Sequence, residues 1–479
     1  GTDLGSEASL NANEALADAD EAMHSIVKAA PTRDEYVAGM LTASGDLVVQ
    51  VWNGSSWGYG TGAPTNGVFQ SGVGTTNAVF RSFDIAYENT TGDALVVFED
   101  STTTNGTLKY RTWNGTTWSG ESTLDYTTVD ESVDVAVWVE LENDIGSDNI
   151  LATWHDKTND TIIGARWDGS AWQHLTQLTG AGLAETNGQT FDVAWEATSG
   201  EGLVAYGTGT TTAYRVYTTA SGFAAAGASP VNPAEAVNWL SLAGDWDTDN
   251  IAIQIMSGTS TTTSDALADI WNGADWTTIA GPTDDSDVNN QGYAKGGDVM
   301  WEATGDRALF VYRDGATTET VIRYFLYDIS ANQWQAIEDG THCLLTEGGT
   351  GTIEVVTSLN VAEDSAGPCT HATAFAGNLS GISLSANPAN SQIMVVASNE
   401  TALPIRPELL RWNGDANGTW LTQTGTMAAP ETDAAWGELP LQGWPIRAYD
   451  FAFNIFSQTL ITISGTIYQT NETSAYDCS

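Results

Sequence analysis

Positive charge is what this sequence most lacks. Lys and Arg total 15 against 61 Asp and Glu, giving a formal net charge of −46 over 479 residues. The lysines are Lys28, Lys109, Lys157 and Lys295, and none closes a G-x-x-x-x-G-K phosphate loop. A surface this negative repels phosphate backbones and anionic lipid, so nucleic acid is excluded as a natural partner. Cysteine is scarce too. Cys343, Cys369 and Cys478 are too few for a disulfide-dense scaffold, and no C-x-x-C-H haem site exists. No apolar run reaches the length of about 18 residues that a membrane-spanning helix needs. H-E-x-x-H and G-x-S-x-G are absent, and His24, His155 and His174 have no nucleophile near them in sequence. Among 61 acidic residues some pair falls at glycosidase spacing by chance, so carboxylate pairs carry no weight. The expectation is a protein without catalysis. The first residue is Gly rather than Met, which we read as export with an upstream segment removed, and hence an extracellular or cell-surface location.

What is present is a repeat. With 41% hydrophobic residues the chain can bury a sizeable core. A hairpin motif, W-[N/D]-G-x-x-W, occurs at Trp52–Trp57, Trp113–Trp118, Trp167–Trp172 and Trp271–Trp276, with a stretched copy from Trp412 to Trp420 and a degraded one from Tyr327 to Trp334. Asn-Gly and Asp-Gly favour type I′ turns, so each copy reads as a hairpin tip. A second motif precedes the hairpins: Phe83-Asp-Ile-Ala-Tyr-Glu88, Phe191-Asp-Val-Ala-Trp-Glu196 and Gly297-Asp-Val-Met-Trp-Glu302, with shorter forms around Asp134 and Asp450. A small Thr/Gly turn and an apolar strand such as Ala94–Phe98 follow it.

Four short strands per unit, repeated every 40–60 residues or so, is the pattern of an all-β propeller. First strands near 81, 131, 189, 236, 296 and 381 count six units. Residues 35–60 supply three further strands, and Arg447–Phe453 the missing fourth. The expected fold is therefore a seven-bladed β-propeller closed by mixed N- and C-terminal strands, which removes the open sheet edge. Ser6–Ala30 carries apolar residues at helical spacing before Pro31 and reads as a short N-terminal helix. The expected organisation is a helical segment over 1–33, the propeller over 34–470 with an insertion at 341–380, and a tail over 471–479. The hairpin Thr459–Tyr468 has no assigned place.

Over about residues 35–470 the chain resembles the secreted and cell-surface seven-bladed propellers. Its W-N-G-x-x-W hairpin is similar to the Asp-box hairpin of sialidase-like propellers, although the Ser and Asp of that motif are not in their places. The resemblance implies an architecture and leaves activity open.

Several residue sets are candidates for chemistry. Exposed Trp pairs stack on sugars, but paired indoles across a hairpin also pack on each other, worth about 1 kcal/mol per pair beyond burial. Recurrence in most units favours packing. The repeated Asp84, Asp134, Asp192, Asp298 and Asp450 either ring a central channel or accept backbone N–H groups of the neighbouring unit, the second being favoured. Asp245-Trp-Asp247-Thr-Asp249 has the D-x-D-x-D spacing of a calcium loop and is the candidate Ca²⁺ site, echoed at Asp144 and Asp148. Cys343 and Cys369 are expected to form a disulfide worth about 3 kcal/mol, with zinc held by His342, Cys343, Cys369 and His371 as the alternative. Cys478 is left over. Nine Asn-x-Ser/Thr acceptors mark candidate glycosylation: Asn53, Asn89, Asn105, Asn114, Asn159, Asn378, Asn399, Asn417 and Asn471.

Together these point to a non-enzymatic extracellular propeller, serving as a structural subunit of a surface filament or coat or as an adhesion module. It would self-assemble with its own copies or with other surface proteins through 6–30 and 459–468. The alternative is a glycan-binding lectin or a sialidase-like glycoside hydrolase.

Overall fold

The computed structural model describes residues 7–9, 22–42, 45–73, 80–100, 106–130, 135–157, 159–180, 183, 188–228, 231, 233, 235–258, 266–277, 283–284, 295–313, 322–338, 341–344, 379–399, 406–414, 420–422, 449–454, 459–464 and 472–477. Among these the regular structure is antiparallel β-sheet, with one 3₁₀ turn at Thr65–Gly67 and no α-helix. The strands form eight sheets of four or five, and these are the sheets of a β-propeller.

Sheet one opens with Ala22–Ala29, followed by Tyr36–Thr42, Leu47–Trp52 and Trp57–Gly58. The first strands of sheets two to seven are Phe83–Tyr87, Ala136–Asn143, Phe191–Trp195, Val237–Gly244, Gly297–Trp301 and Leu379–Ala386. Sheet eight joins Tyr449–Asn454, Thr459–Ser464 and Glu472–Asp477 to the N-terminal strand Glu7–Ser9, Glu7 lying opposite Ser474. N- and C-terminal strands thus share one sheet, with Glu7–Ser9 and Tyr449–Asn454 as its edge strands.

Three expectations are corrected here. The segment expected as helix is a strand over Ala22–Ala29, paired with Tyr36–Thr42; residues 10–21 lie outside the described set. That strand fills the place assigned to Arg447–Phe453, so the C-terminal strands are released to build a sheet of their own. Eight sheets result where seven units were counted. The unplaced hairpin 459–468 contributes the second strand of sheet eight, and 472–477 is its third strand rather than a tail. The boundaries drawn at 33 and 470 therefore cut through sheets. Of the expected insertion 341–380, Thr341–Leu344 is a fifth strand of sheet six and 379–380 begin sheet seven, while the rest lies outside the described residues.

Burial explains the sequence pattern. Second strands such as Ala94–Glu99, Ile150–Asp156 and Ile251–Ser257 are buried at every residue, so they read as continuous apolar runs. Outer strands such as Trp172–Gln177 are half-buried throughout. The core lies between facing sheets: Val37, Val49 and Val51 of sheet one meet Phe83, Ile85 and Val96 of sheet two. Val97 and Leu108 of sheet two meet Val139 and Ile150 of sheet three.

The chain divides into two compact units, 1–182 with 219–223 and 425–479, and 183–218 with 224–424. In each, sheets alternate between two kinds. Sheets two, four and six begin with the D-x-x-x-E strand, while sheets three, five and seven begin with a strand that docks against it. The carbonyls of Arg81, Gln189 and Lys295 accept the N–H groups of Val139, Leu240 and Ile382. The true repeat is a pair of sheets, its marker aspartates Asp84, Asp192 and Asp298 lying 108 and 106 residues apart.

Candidate functional site

What recurs is junction machinery. Glu88, Glu196 and Glu302, each buried, accept the indole N–H of Trp167, Trp271 and Trp412 at 2.7, 2.6 and 2.6 Å. Burial raises all three carboxyls above the ordinary range, against the pull of these hydrogen bonds and, for Glu302, of Arg307. The aspartates of the first strands play the role favoured from sequence. Asp84, Asp192 and Asp298 accept the backbone N–H of Leu141, Leu242 and Leu384 at 2.8, 2.8 and 2.9 Å, each from the next sheet. Asp134 lies outside the described residues, and Asp450 stands in the first strand of sheet eight.

The Asp245–Asp249 turn does not gather its carboxylates as the calcium spacing predicted. Asp245 accepts Trp246 N–H and the Thr248 hydroxyl within its own turn, while Asp249 accepts Thr198 and Ser199 N–H, both at 2.8 Å, from sheet four. Asp247 stays exposed. Asp144 and Asp148 repeat the arrangement at the junction of sheets two and three. The spacing encodes a turn that caps itself and its neighbour. Among the described residues no three His, Cys, Asp or Glu side chains converge as a metal cage.

Cys343 lies in the fifth strand of sheet six, opposite Ala336; Cys369, His371 and Cys478 lie outside the described residues, so neither the disulfide nor the zinc set can be drawn. Of the acceptor asparagines, Asn53 and Asn114 are exposed on hairpin tips and Asn89 and Asn159 are half-buried in turns. Asn399 ends a strand of sheet seven, and Asn105, Asn378, Asn417 and Asn471 lie outside the described residues.

The hairpins differ from a type I′ turn. Asn53 and its counterparts keep negative φ; only the glycine is left-handed, with φ of 84° at Gly54, 83° at Gly115 and 87° at Gly169 and Gly273. The preceding Asn or Asp closes the loop by accepting N–H groups two and three residues on. The flanking Trp pairs then face the preceding sheet. Tyr110 inserts against Trp167 and Trp172 at 5.5 and 5.7 Å, Tyr214 against Trp271 and Trp276 at 5.3 and 5.6 Å, and Tyr324 against Trp412 at 5.8 Å. Trp113 and Trp118 are buried with Phe69. These pairs are packing, as recurrence suggested.

One pair is different. Trp52 and Trp57 of sheet one, 5.8 Å apart and tilted by 57°, are both half-buried and pack against a cluster of Val27, Tyr36, Ala38, Met40 and Ala452 rather than against an inserted tyrosine. By strand register the position equivalent to Tyr110 in sheet eight is Thr473, since Tyr110 lies opposite Val97 and Thr473 opposite Ile463, while Asp84 and Asp450 mark the same row. The loop beyond Trp57 is held in place: Trp118 donates its indole N–H to Tyr59 O at 2.9 Å and its backbone N–H to Thr61 O at 2.8 Å. Gly60 permits this approach, since a Cβ there would meet the Trp113 ring at 2.6 Å. From Leu47 to Phe80 the sequence contains no charged residue. On a chain of net charge −46 this is an uncharged, hydroxyl-rich strip bearing Trp52, Trp57 and Tyr59, with Asp34 beneath Gly54.

A second departure from the repeat escaped the sequence reading. On the first strand of sheet three, Glu140 and Glu142 occupy positions where sheet five has Ser241 and Ala243 and sheet seven has Ser383 and Ser385. Arg81 pairs with Glu140, lies 3.6 Å from Asp84, donates to Val139 O at 3.1 Å and covers the Trp138 ring. Glu142, crowded by protein yet still touched by solvent, is pushed up to about 7 by desolvation, with Lys28 opposing the shift and Asp84 and Glu140 adding to it. Two of the chain's 15 basic residues thus sit among three carboxylates. The legible signal was the E-x-E alternation against Ser or Ala at matching positions, visible only once the two-sheet register is known.

No protein-family model and no curated protein sequence matches the chain. Solved structures do. A lectin from Burkholderia pseudomallei is similar at 11% identity over 84% of this chain and 98% of that one, with a TM-score of 0.53. The Dos1 propeller is similar at 9% identity over 96% and 95%, TM-score 0.48. The β-propeller domain of the Trilobed protease from Pyrococcus furiosus is similar at 8% identity over 85% and 98%, TM-score 0.40. At such identities the likeness to the lectin establishes the fold alone.

Proposed function

We propose that this protein is a non-enzymatic, extracellular β-propeller that binds neutral carbohydrate on the Trp52–Trp57 hairpin of sheet one. The observation that carries the reading is that partly exposed aromatic pair, borne on a stretch of sequence without charge from Leu47 to Phe80. An apolar ring face flanked by hydroxyl and amide groups suits the mixed apolar and polar faces of a sugar. The field of a chain at −46 disfavours acidic sugars, so the ligand class is neutral glycan rather than sialylated glycan. A solved propeller of the same fold is a lectin, which supports the scaffold's suitability. The filament or coat reading loses its assigned docking elements, because 22–29 and 459–464 are strands inside sheets one and eight.

A glycan array with wild type, Trp57→Ala and Trp52→Ala tests this. Binding of a neutral glycan that falls tenfold or more in both variants, with the melting point little changed, is the expected result. Array binding that survives both substitutions, or an array with no bound glycan, overturns it. Hydrolysis of a bound glycan would overturn the non-enzymatic part alone.

A further inference from the structure

The nine acceptor asparagines are equivalent in sequence and unequal in structure. In the hairpin of sheet one, Asn53 Oδ1 accepts Ser55 N–H at 3.1 Å, the Ser55 hydroxyl at 2.8 Å and Ser56 N–H at 3.0 Å. In sheet two, Asn114 Oδ1 accepts Thr116 N–H at 3.1 Å, the Thr116 hydroxyl at 2.8 Å and Thr117 N–H at 2.8 Å. Two backbone donors on one oxygen fix the amide's orientation, so the nitrogen is the atom left facing outward on an exposed residue. The acceptor's own hydroxyl is already folded onto the amide it serves.

Asn89 and Asn159 are arranged the other way round. Asn89 Nδ2 donates to Ile145 O in the neighbouring sheet, and Asn159 Nδ2 donates to Asp130 Oδ1 at 2.6 Å. Their nitrogens are consumed inside the fold. Asp168 and Asn272 head the same hairpin in sheets three and five, but the first lacks an amide nitrogen and the second is followed by Gly273-Ala274, without the hydroxyl.

We infer that Asn53 and Asn114 are sites of N-linked glycan attachment, and that Asn89 and Asn159 are not. The donor class is a lipid-pyrophosphate-linked oligosaccharide. The amide nitrogen forms a bond to the anomeric carbon, and that carbon's bond to the pyrophosphate oxygen breaks with its electron pair leaving on the pyrophosphate. The displaced amide proton passes to a base of the transferase. In the product Oδ1 keeps all its hydrogen bonds, so the hairpin does not reorganise. Attachment at Asn89 or Asn159 would displace a donor that the folded sheets use. The inference rests on the extracellular part of the proposed function but not on its ligand, and because Asn53 lies within the Trp52–Trp57 hairpin the glycan array is read on protein carrying Asn53→Asp as well as on wild type.

The test is glycopeptide mapping by mass spectrometry of protein purified from its own cells, beside the variants Asn53→Asp and Asn114→Asp. Asp keeps the three-acceptor cap, as Asp168 does with Ser170 and Ala171, but offers no amide nitrogen. The expected result is glycan on Asn53 and Asn114, bare peptides at Asn89 and Asn159, and an intact mass that drops by one glycan in each variant at unchanged melting temperature. Bare Asn53 and Asn114 in the native protein, or glycan at Asn89 or Asn159, overturns the inference.

Discussion

The hairpins of sheets one and three are written in nearly the same residues and do different work. Trp167 and Trp172 of sheet three close on Tyr110, and Trp167 reaches the buried Glu88. Trp52 and Trp57 of sheet one have the same turn, the same left-handed glycine and the same strand pairing, yet the first Trp, buried in sheet three, is half-buried here, and the pair rests on Val27, Tyr36, Ala38, Met40 and Ala452. By strand register the matching position of the preceding sheet is Tyr110 in one case and Thr473 in the other. In a repeat protein the positions that recur carry the fold, and a position where the repeat lapses is where we place the proposed ligand. The first strands teach the same lesson, with Glu140 and Glu142 where the equivalent sheets have Ser and Ala.

The sharpest way to break that comparison is to truncate both indoles. Trp167→Ala should cost about 3–5 kcal/mol, because it opens a cavity and orphans Glu88, whereas Trp57→Ala should cost below about 1 kcal/mol. Denaturant midpoints measure both, and equal costs would dissolve the distinction between packing pair and open pair. Next in size is the carboxylate beneath the sealed pairs. Glu196→Ala leaves the buried Trp271 N–H without an acceptor and should cost about 1–3 kcal/mol. Glu196→Gln keeps an acceptor without a buried charge and should cost far less, so similar losses for the two would show that the indole hydrogen bond is not what matters.

The comparison is sharpened by converting one hairpin into the other. Thr473→Tyr restores the aromatic at the register position of Tyr110 and should cover Trp52 and Trp57. Neutral-glycan affinity should then fall about tenfold, some 1.4 kcal/mol, with stability unchanged or slightly higher. Unaltered affinity would remove the hairpin from consideration as the site.

The smallest effect is on pH. Burial raises Glu142 and Asp269 to about 7 and Asp245 to about 6. A raised carboxyl makes the folded state the tighter binder of protons. Its stabilisation is complete below the unfolded carboxyl pKa and is lost as pH rises through 6 to 7, the values of those folded groups. His155, lowered to about 4 by burial and Lys157, acts in the opposite sense and loses its contribution as pH falls from about 6.5 towards 4. The melting temperature should therefore be a few degrees higher near pH ~6 than near pH ~8. Glu142→Gln, in the cluster without counterpart in the other sheets, should remove part of that slope, and Ser241→Ala, at the place equivalent to Glu140 in sheet five, should remove none. A slope indifferent to Glu142→Gln would mean that its proton is bound equally in both states.

Local chemistry settled much of this protein in advance. An Asn or Asp before Gly closes a hairpin through its own side-chain oxygen, and largely apolar runs become strands covered on both faces. All-β units of four strands, their first-strand positions near 81, 189, 236, 296 and 381, and the packing of most Trp pairs were legible for that reason. So was the aspartate in the first strands of sheets two, four and six, whose short acceptor needs only an adjacent N–H. That N- and C-terminal strands share a sheet was legible, but which segments distant in sequence pair was not. Ala22–Ala29 meets helical spacing as well as it meets a strand, and the unpaired edge of Tyr36–Thr42 decided it. Glu7–Ser9 finds Glu472–Asp477 across nearly the whole chain, which no local pattern encodes. The D-x-D-x-D turn has calcium spacing, yet the backbone of sheet four takes Asp249 out of the set. Which Trp pair stays open, and which charges meet on the first strands, follows from what the neighbouring sheet places opposite. Burial and register are properties of the assembled sheets, and only the tertiary structure fixes them.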